Sequence, residues 1–349
     1  MDSLDDRVSR IKADGKGKPW DCVVGVSGGR DSSYLLRELT RKHNLRCLAV
    51  YYRTPFTGQV AHENVLRMVE RLNTDLEIMN LSAKFHQELA RYMVILWAKK
   101  RQWMFANLAC AQCKLLNGEI FRVARKHDVK WILYGSNAIE SFQGATWRRS
   151  SASDSQGAAD RHFSFLAQMR RMMAVVRKGT ELLVLCPGLW RHWSVMFQAS
   201  ILYLTPNTPY IKLRYPGVNV LHYFYYAGWK EEECERTLKE LGWQLPFGSG
   251  TTWRADCTFA AFKDYMLQET AGMTYMDSML SNMIRAGMLT RDEAMKRLED
   301  EQEVFPAKIR AALDVLDLPG SISLPNVPIN RGEKRQPHML RHRRPVAEL

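Results

Sequence analysis

The sequence predicts an α/β protein, a doubly wound parallel sheet with a mainly helical C-terminal portion. Three observations lead there. Short apolar, β-branched runs alternate with helical stretches from residue 21 to 137. A glycine-rich turn follows the first of these runs at once and opens a helix. Beyond residue 180 the periodicity is mainly helical, broken by Pro-bounded turns at 204–216.

Taken in order, Asp21-Cys22-Val23-Val24-Gly25-Val26 is a short apolar run that predicts a buried strand. Residues 32–43 place Leu35, Leu36 and Leu39 at helical spacing. Residues 46–52 (RCLAVYY) predict a second strand, and 62–72 a helix with Val65, Met68, Val69 and Leu72 on one face. A third strand is expected at 76–80, helices at 87–103 and 115–127, and a fourth strand at 130–134 (KWILY), which ends at Gly135-Ser136-Asn137. Polar, Gly- and Ser-rich residues 141–157 predict a loop, and 162–176 a helix. Further helices are expected at 231–241, 259–270 and 277–286, and Thr290-Arg291-Asp292-Glu293 has the pattern of a capping box opening another. The organisation read from this is an α/β domain over 1–180, a mainly helical portion over 181–320, and a basic, Pro-containing tail over 321–349.

With 349 residues, 46% of them hydrophobic, the chain can bury a sizeable core. Its apolar runs are too short to span a bilayer, and the acidic start (Asp2, Asp5, Asp6) lacks the form of an export signal, so a cytoplasmic protein is expected. The net charge of +13 favours phosphorylated or polyanionic partners. Part of it lies in the tail, and part in a basic stretch carrying Arg148, Arg149 and Arg161, placed to close over a phosphate. Seven cysteines, an odd number, argue against a disulfide framework and toward metal or sulfur chemistry.

The turn Ser27-Gly28-Gly29-Arg30-Asp31-Ser32 combines features that suit a phosphate. Its glycines allow close approach of the backbone, and its N–H groups and the following helix N-terminus supply positive potential. Ser27, Ser32 and Ser33 add hydroxyls, Arg30 adds charge, and Asp31 can hold a magnesium ion. In parallel sheets ligands sit beyond the carboxyl ends of strands. Tyr52 and Arg53 after the second strand, and Gly135 and Ser136 after the fourth, fall there too.

The pattern SGGxDS after an apolar strand resembles the PP-loop ATP pyrophosphatases, over residues 21–139 and more weakly over 223–298. The resemblance implies an adenine nucleotide alpha hydrolase-like sheet. It also implies ATP and magnesium as cofactors, and a reaction in which AMP is placed on a substrate carbonyl and then displaced by nitrogen or sulfur. It places Tyr52 and Arg53 at the adenine, and puts Ser136-Asn137 where relatives carry His or Glu.

Cys110-Ala111-Gln112-Cys113 before a helix is similar to the corresponding stretch of PP-loop tRNA thiolases. The likeness implies an iron–sulfur cluster on Cys110, Cys113 and a later cysteine, for which Cys186, Cys234 and Cys257 are candidates; Cys257 stands first, and Cys234, inside an expected helix among glutamates, stands last. A persulfide on Cys113, a structural zinc and two small buried residues are the alternatives. The aromatic run 223–229 and the string Trp253-Arg254-Ala255-Asp256-Cys257 look like parts of PP-loop N-acetyl sugar amidotransferases. The expected function is therefore ATP-dependent sulfur transfer to a small nucleobase- or nucleotide-like substrate, of the 6-thioguanine-forming type. Amidotransfer to an N-acetyl sugar and tRNA thiolation are the alternatives. Expected partners are the small substrate, a sulfur donor protein, tRNA under the alternative reading, and a second copy of the chain.

Overall fold

The computed structural model describes residues 3–79, 83–110, 113, 115–137, 139–140, 209–245, 252–301 and 306–318, with isolated positions 173, 177, 180, 181, 184, 187 and 190. The basic stretch at 148–161, the helix expected at 162–176, Cys186 and the tail lie outside the described residues.

Strands β1 (Cys22–Val26), β2 (Cys47–Tyr51), β3 (Asp75–Ile78), β4 (Trp131–Tyr134) and β5 (Asn219–His222) form one sheet in the order β3-β2-β1-β4-β5. Every pairing is parallel. The first half of the chain supplies helices α1 (Leu4–Asp14), α2 (Arg30–Arg37), α3 (Gln59–Leu72), α4 (Ala83–Lys100), α5 (Trp103–Leu108) and α6 (Leu115–Lys126). The second half supplies α7 (Pro209–Arg214), α8 (Phe224–Ala227), α9 (Glu231–Glu240), α10 (Ala260–Ala271), α11 (Tyr275–Arg285), α12 (Arg291–Glu301) and α13 (Pro306–Val315).

Alternation along the strands makes the sheet two-faced. Val23, Leu48, Val50 and Ile132 pack with Ile120, Phe121, Val123 and Ala124 of α6. Val24, Val26, Ala49, Tyr51 and Leu133 pack on the opposite face with Leu35 and Leu36 of α2 and Val65 and Met68 of α3. Helices on both faces make the fold doubly wound, as the alternation of elements predicted. The chain runs outward from β1 through β2 and β3 and then returns to β4, so the topological switch lies between β1 and β4. That is where ligands sit in such sheets. A separate helical core joins α4, α5, α10 and α13 around the fully buried Trp97, Phe105 and Phe262.

Several elements differ from expectation. The fifth strand comes from 219–222, within the portion expected to be mainly helical, and its pairing with β4 extends the sheet. The helix expected at 87–103 is two helices, because Arg101 takes a left-handed conformation (φ 41) that ends α4. The helix expected at 32–43 is α2 followed by a wider π-turn over Glu38–Lys42. The aromatic run contributes to packing rather than an open platform, with Tyr223 at 0% and Phe224 at 5% exposure. The capping box before α12 is present: the Glu293 N–H donates to Thr290 Oγ1, and the Glu293 carboxylate accepts from Thr290.

Candidate active site

The 27–32 loop leaves the end of β1 at the switch point and feeds directly into α2. Two features fix its shape. Gly28 has φ 81, and a Cβ there would stand 1.9 Å from the Ala61 carbonyl oxygen, so α3 passes too close for any side chain. The Gly28 carbonyl in turn accepts from the Trp243 indole N–H at 2.9 Å. Inside the loop, Ser32 Oγ accepts from the Ser27 N–H at 3.1 Å and lies 3.2 Å from Ser27 Oγ. Ser27 Oγ also accepts from the Gly29 N–H. Ser33, 2% exposed, is buried in the first turn of α2. Gly135 brings the end of β4 against this turn: a Cβ there would lie 3.1 Å from the Asp31 carbonyl.

Asp31 is held by three donors. Asn137 donates to Oδ2 at 2.7 Å, and Arg30 Nε (2.8 Å) and the Trp229 indole (3.2 Å) donate to Oδ1. Burial raises its carboxyl above the ordinary range, against the pull of Arg30. Arg30, only 3% exposed, lies over the contacting rings of Trp253 (4.1 Å) and Trp229 (4.8 Å) and donates to Glu231 and Thr252. Burial opposes its charge, yet Asp31 and Glu231 raise its pKa above the ordinary value.

Beyond β2, Tyr52 is 7% exposed with its hydroxyl 3.4 Å from His86 Nδ1, and Arg53 reaches Gln59. Ser136 Oγ lies 2.6 Å from His222 Nδ1, joining the ends of β4 and β5 rather than facing the loop.

A second strand of chain completes the site. Thr57 bridges Cys257 in antiparallel fashion, the Gly58 N–H donates to the Asp256 carbonyl, and the Thr258 N–H donates to the Phe56 carbonyl at 2.8 Å. This zipper sets the Asp256 carboxylate against Gly29, 3.3 Å from where a Cβ would be. It also brings Cys257 to the CxxC pair. Cys110 and Cys257 pack against the same helical core. Burial first, and then the nearness of Cys110 and Cys113, push the Cys257 thiol well up. Cys113 is exposed.

Sequence reasoning did not single out Glu140, Arg254 or Asp256 as site residues. Glu140 sits in a pinned turn: its N–H donates to Asn137 Oδ1, its carbonyl accepts from the Tyr275 hydroxyl, and the neighbouring Ile139 carbonyl accepts from Asn282. Burial and then Asp31 push its carboxyl up to about 7, against Arg254 and Arg30. Arg254, in a left-handed conformation (φ 53), stacks 5.2 Å over the Tyr275 ring among Cys110, Cys257 and Asp256. The string Trp253-Arg254-Ala255-Asp256-Cys257 was the available signal. It mixes charge with aromatics just before a helix, as buried charge at a site requires.

Magnesium takes hard oxygen ligands, commonly one or two carboxylates beside substrate phosphates. Asp31 and Asp256 flank the loop and fit that role. For an iron–sulfur cluster, no group of three His, Cys, Asp or Glu side chains among the described residues stands close enough to hold a metal ion. Cys110, Cys113 and Cys257 as placed do not form its ligand set. No helix among the described residues is long and apolar enough to cross a membrane.

No family model matches the chain. An uncharacterized protein of Methanocaldococcus jannaschii is 26% identical over 123 residues, which cover 34% of this chain and 39% of that protein. The match thus spans well under half of that relative. Among solved structures, an NMN synthetase from Francisella tularensis overlaps at TM-score 0.38 and 12% identity, covering 88% of this chain and 97% of its own. An NH3-dependent NAD synthetase from Campylobacter jejuni overlaps at TM-score 0.29 and 14% identity, covering 58% and 96%. The all-parallel sheet and the SGGxDS turn between β1 and α2 stand where the sequence predicted them.

Proposed function

We propose that this chain is an ATP-dependent sulfurtransferase that adenylates a carbonyl of a small nucleobase- or nucleotide-like substrate and replaces its oxygen by sulfur, in the manner of 6-thioguanine formation. One observation supports the reading: the zipper that delivers Asp256 to Gly29 also brings Cys257 beside the phosphate loop, and Cys257 shares a helical core with Cys110 of the CxxC pair.

The chemistry follows from the layout. The 27–32 loop orients the triphosphate, with backbone N–H groups and the α2 N-terminus toward its charge. A bound magnesium ion neutralises part of that charge. The substrate carbonyl oxygen attacks the α-phosphorus, the bond to the β-phosphate oxygen breaks, and pyrophosphate leaves with the electron pair. The substrate's ring N–H loses its proton as the oxygen becomes a phosphate ester. Cys113 is the exposed cysteine of the three, suited to loading by a sulfur donor protein. As a persulfide, its terminal sulfur attacks the activated carbon, and AMP departs with the original oxygen. Cys110 then attacks the Cys113 sulfur, releasing the thiocarbonyl product and leaving a Cys110–Cys113 disulfide, which a thiol reductant reopens.

The test is an anaerobic assay with ATP, a persulfide source and a panel of guanine compounds, sugar nucleotides and tRNA. It is read by mass spectrometry for exchange of oxygen by sulfur. Cys113→Ala is expected to bind ATP normally and form no thiolated product. Undiminished turnover by that variant, or an amino product in place of a thio product, overturns sulfur transfer.

A further inference from the structure

We propose that Arg30 of the phosphate loop is a positioning residue and not a phosphate ligand: it latches the loop to the C-terminal helices. The latch has four sides. Arg30 Nε donates to Asp31 within the loop, and NH1 donates to Glu231 on the first turn of α9 and to Thr252. The guanidinium lies over the rings of Trp253 and Trp229, at 4.1 and 4.8 Å, and these two rings meet each other at 5.4 Å. Arg297 of α12 grips Glu231 from the other side, with NH1 to Oε2 at 2.6 Å and NH2 to Oε1 at 2.9 Å.

The charges make this arrangement self-consistent. Glu231 is 6% exposed and still ionised, because Arg297 and Arg30 overcome the burial that would protonate it. Its place in the first turn of α9 also favours negative charge. A guanidinium resting on a pair of contacting indoles and bridging two carboxylates uses its plane and its fork, neither of which an ammonium provides. One turn on, Tyr34 repeats the junction: its ring stacks on Phe224 at 5.9 Å and its hydroxyl donates to Glu233. The shape of the loop is thereby tied to helices that lie some 200 residues further along the chain (|i−j| is 201 for Arg30 to Glu231).

The consequence is a distinct pattern of mutational effects. A phosphate-contacting arginine tolerates lysine and ignores Glu231. A latch fails with lysine and depends on Glu231 as much as on itself. The affinity part of the test rests on the ATP reading above; the exchange part does not. In the full-length protein, Arg30→Lys, Glu231→Gln and the double variant are titrated with ATP. The amide exchange of residues 27–33 is compared with that of β1 and β2. Each single variant is expected to weaken ATP binding roughly tenfold, the size of coupling between contacting groups, with the double variant no weaker than either single. Exchange in the loop is expected to rise in each variant while the strand amides hold. Near-wild-type affinity in Arg30→Lys, or additive losses in the double variant, would overturn the latch. So would loop exchange unchanged in Glu231→Gln. If these variants fail to fold, Arg297→Gln, whose side chain is 21% exposed, takes their place. It is expected to loosen the loop in the same direction, and an unaltered loop overturns the proposal. A wild-type chain that binds no ATP, with loop exchange still governed by Glu231, refutes the nucleotide reading and keeps the latch.

Discussion

Replacing Gly28 by alanine tests the loop geometry most sharply. At φ 81 the backbone there is one that a residue with a Cβ adopts at a cost of about 1–3 kcal/mol. The added Cβ would also meet the Ala61 carbonyl oxygen at 1.9 Å, where ordinary contact begins near 3.4 Å. Loop and α3 must therefore part by more than an ångström, and overpacking of that kind costs about 1–3 kcal/mol. The sum, about 4 kcal/mol, is a large share of the roughly 5–15 kcal/mol that holds a domain folded. Parting also strains the Trp243 hydrogen bond to the Gly28 carbonyl, so ATP affinity falls together with stability. Urea unfolding, followed by tryptophan fluorescence and paired with ATP titration, measures both. Gly29→Ala is the control. Its φ is −71, and its Cβ would sit 3.2–3.3 Å from Ser27 Oγ and Asp256, so its loss of stability should stay below about 1 kcal/mol. If Gly28→Ala unfolds within about 0.5 kcal/mol of wild type and binds ATP equally well, the close approach of α3 to the loop is wrong.

Burial alone holds His86 down, to about 4 from its ordinary 6.5. A depressed histidine contributes stability that is whole above pH 6.5 and is lost as the pH falls toward 4. The loss approaches about 3 kcal/mol, and His86→Phe should flatten that slope in denaturation measured across the window. A slope unchanged in the variant would assign the acid sensitivity to other groups. Cys110→Ser should adenylate substrate and stall after one sulfur transfer, with product trapped on Cys113 and visible by intact-mass spectrometry. Multiple turnovers by that variant would remove Cys110 from the resolving step.

The strands and the phosphate loop were legible because each depends on neighbours in sequence. Val23-Val24-Gly25-Val26 is apolar on both faces of a sheet covered on both sides, and the paired glycines signal the turn directly. β5 was not legible: Asn219-Val220-Leu221-His222 is four residues long, only Leu221 is fully buried, and its strand character comes from β4 beside it. Cys257 was named as a later cysteine in a polar approach to a helix, but its delivery by Thr57 is a long-range event with no local signature. The surroundings of Arg30 were not legible either, because Glu231, Trp229 and Trp253 lie some 200 residues further along the chain. Glu140 carries no periodic or spacing signal, and only burial among other charges marks it.

The central claim is adenylation, and the products of ATP test it most directly. With the purine, sugar-nucleotide and tRNA panel under anaerobic conditions, the account predicts AMP and pyrophosphate in equal amounts with the true substrate. Formation of ADP and orthophosphate, or ATP left intact with every member of the panel, would contradict it.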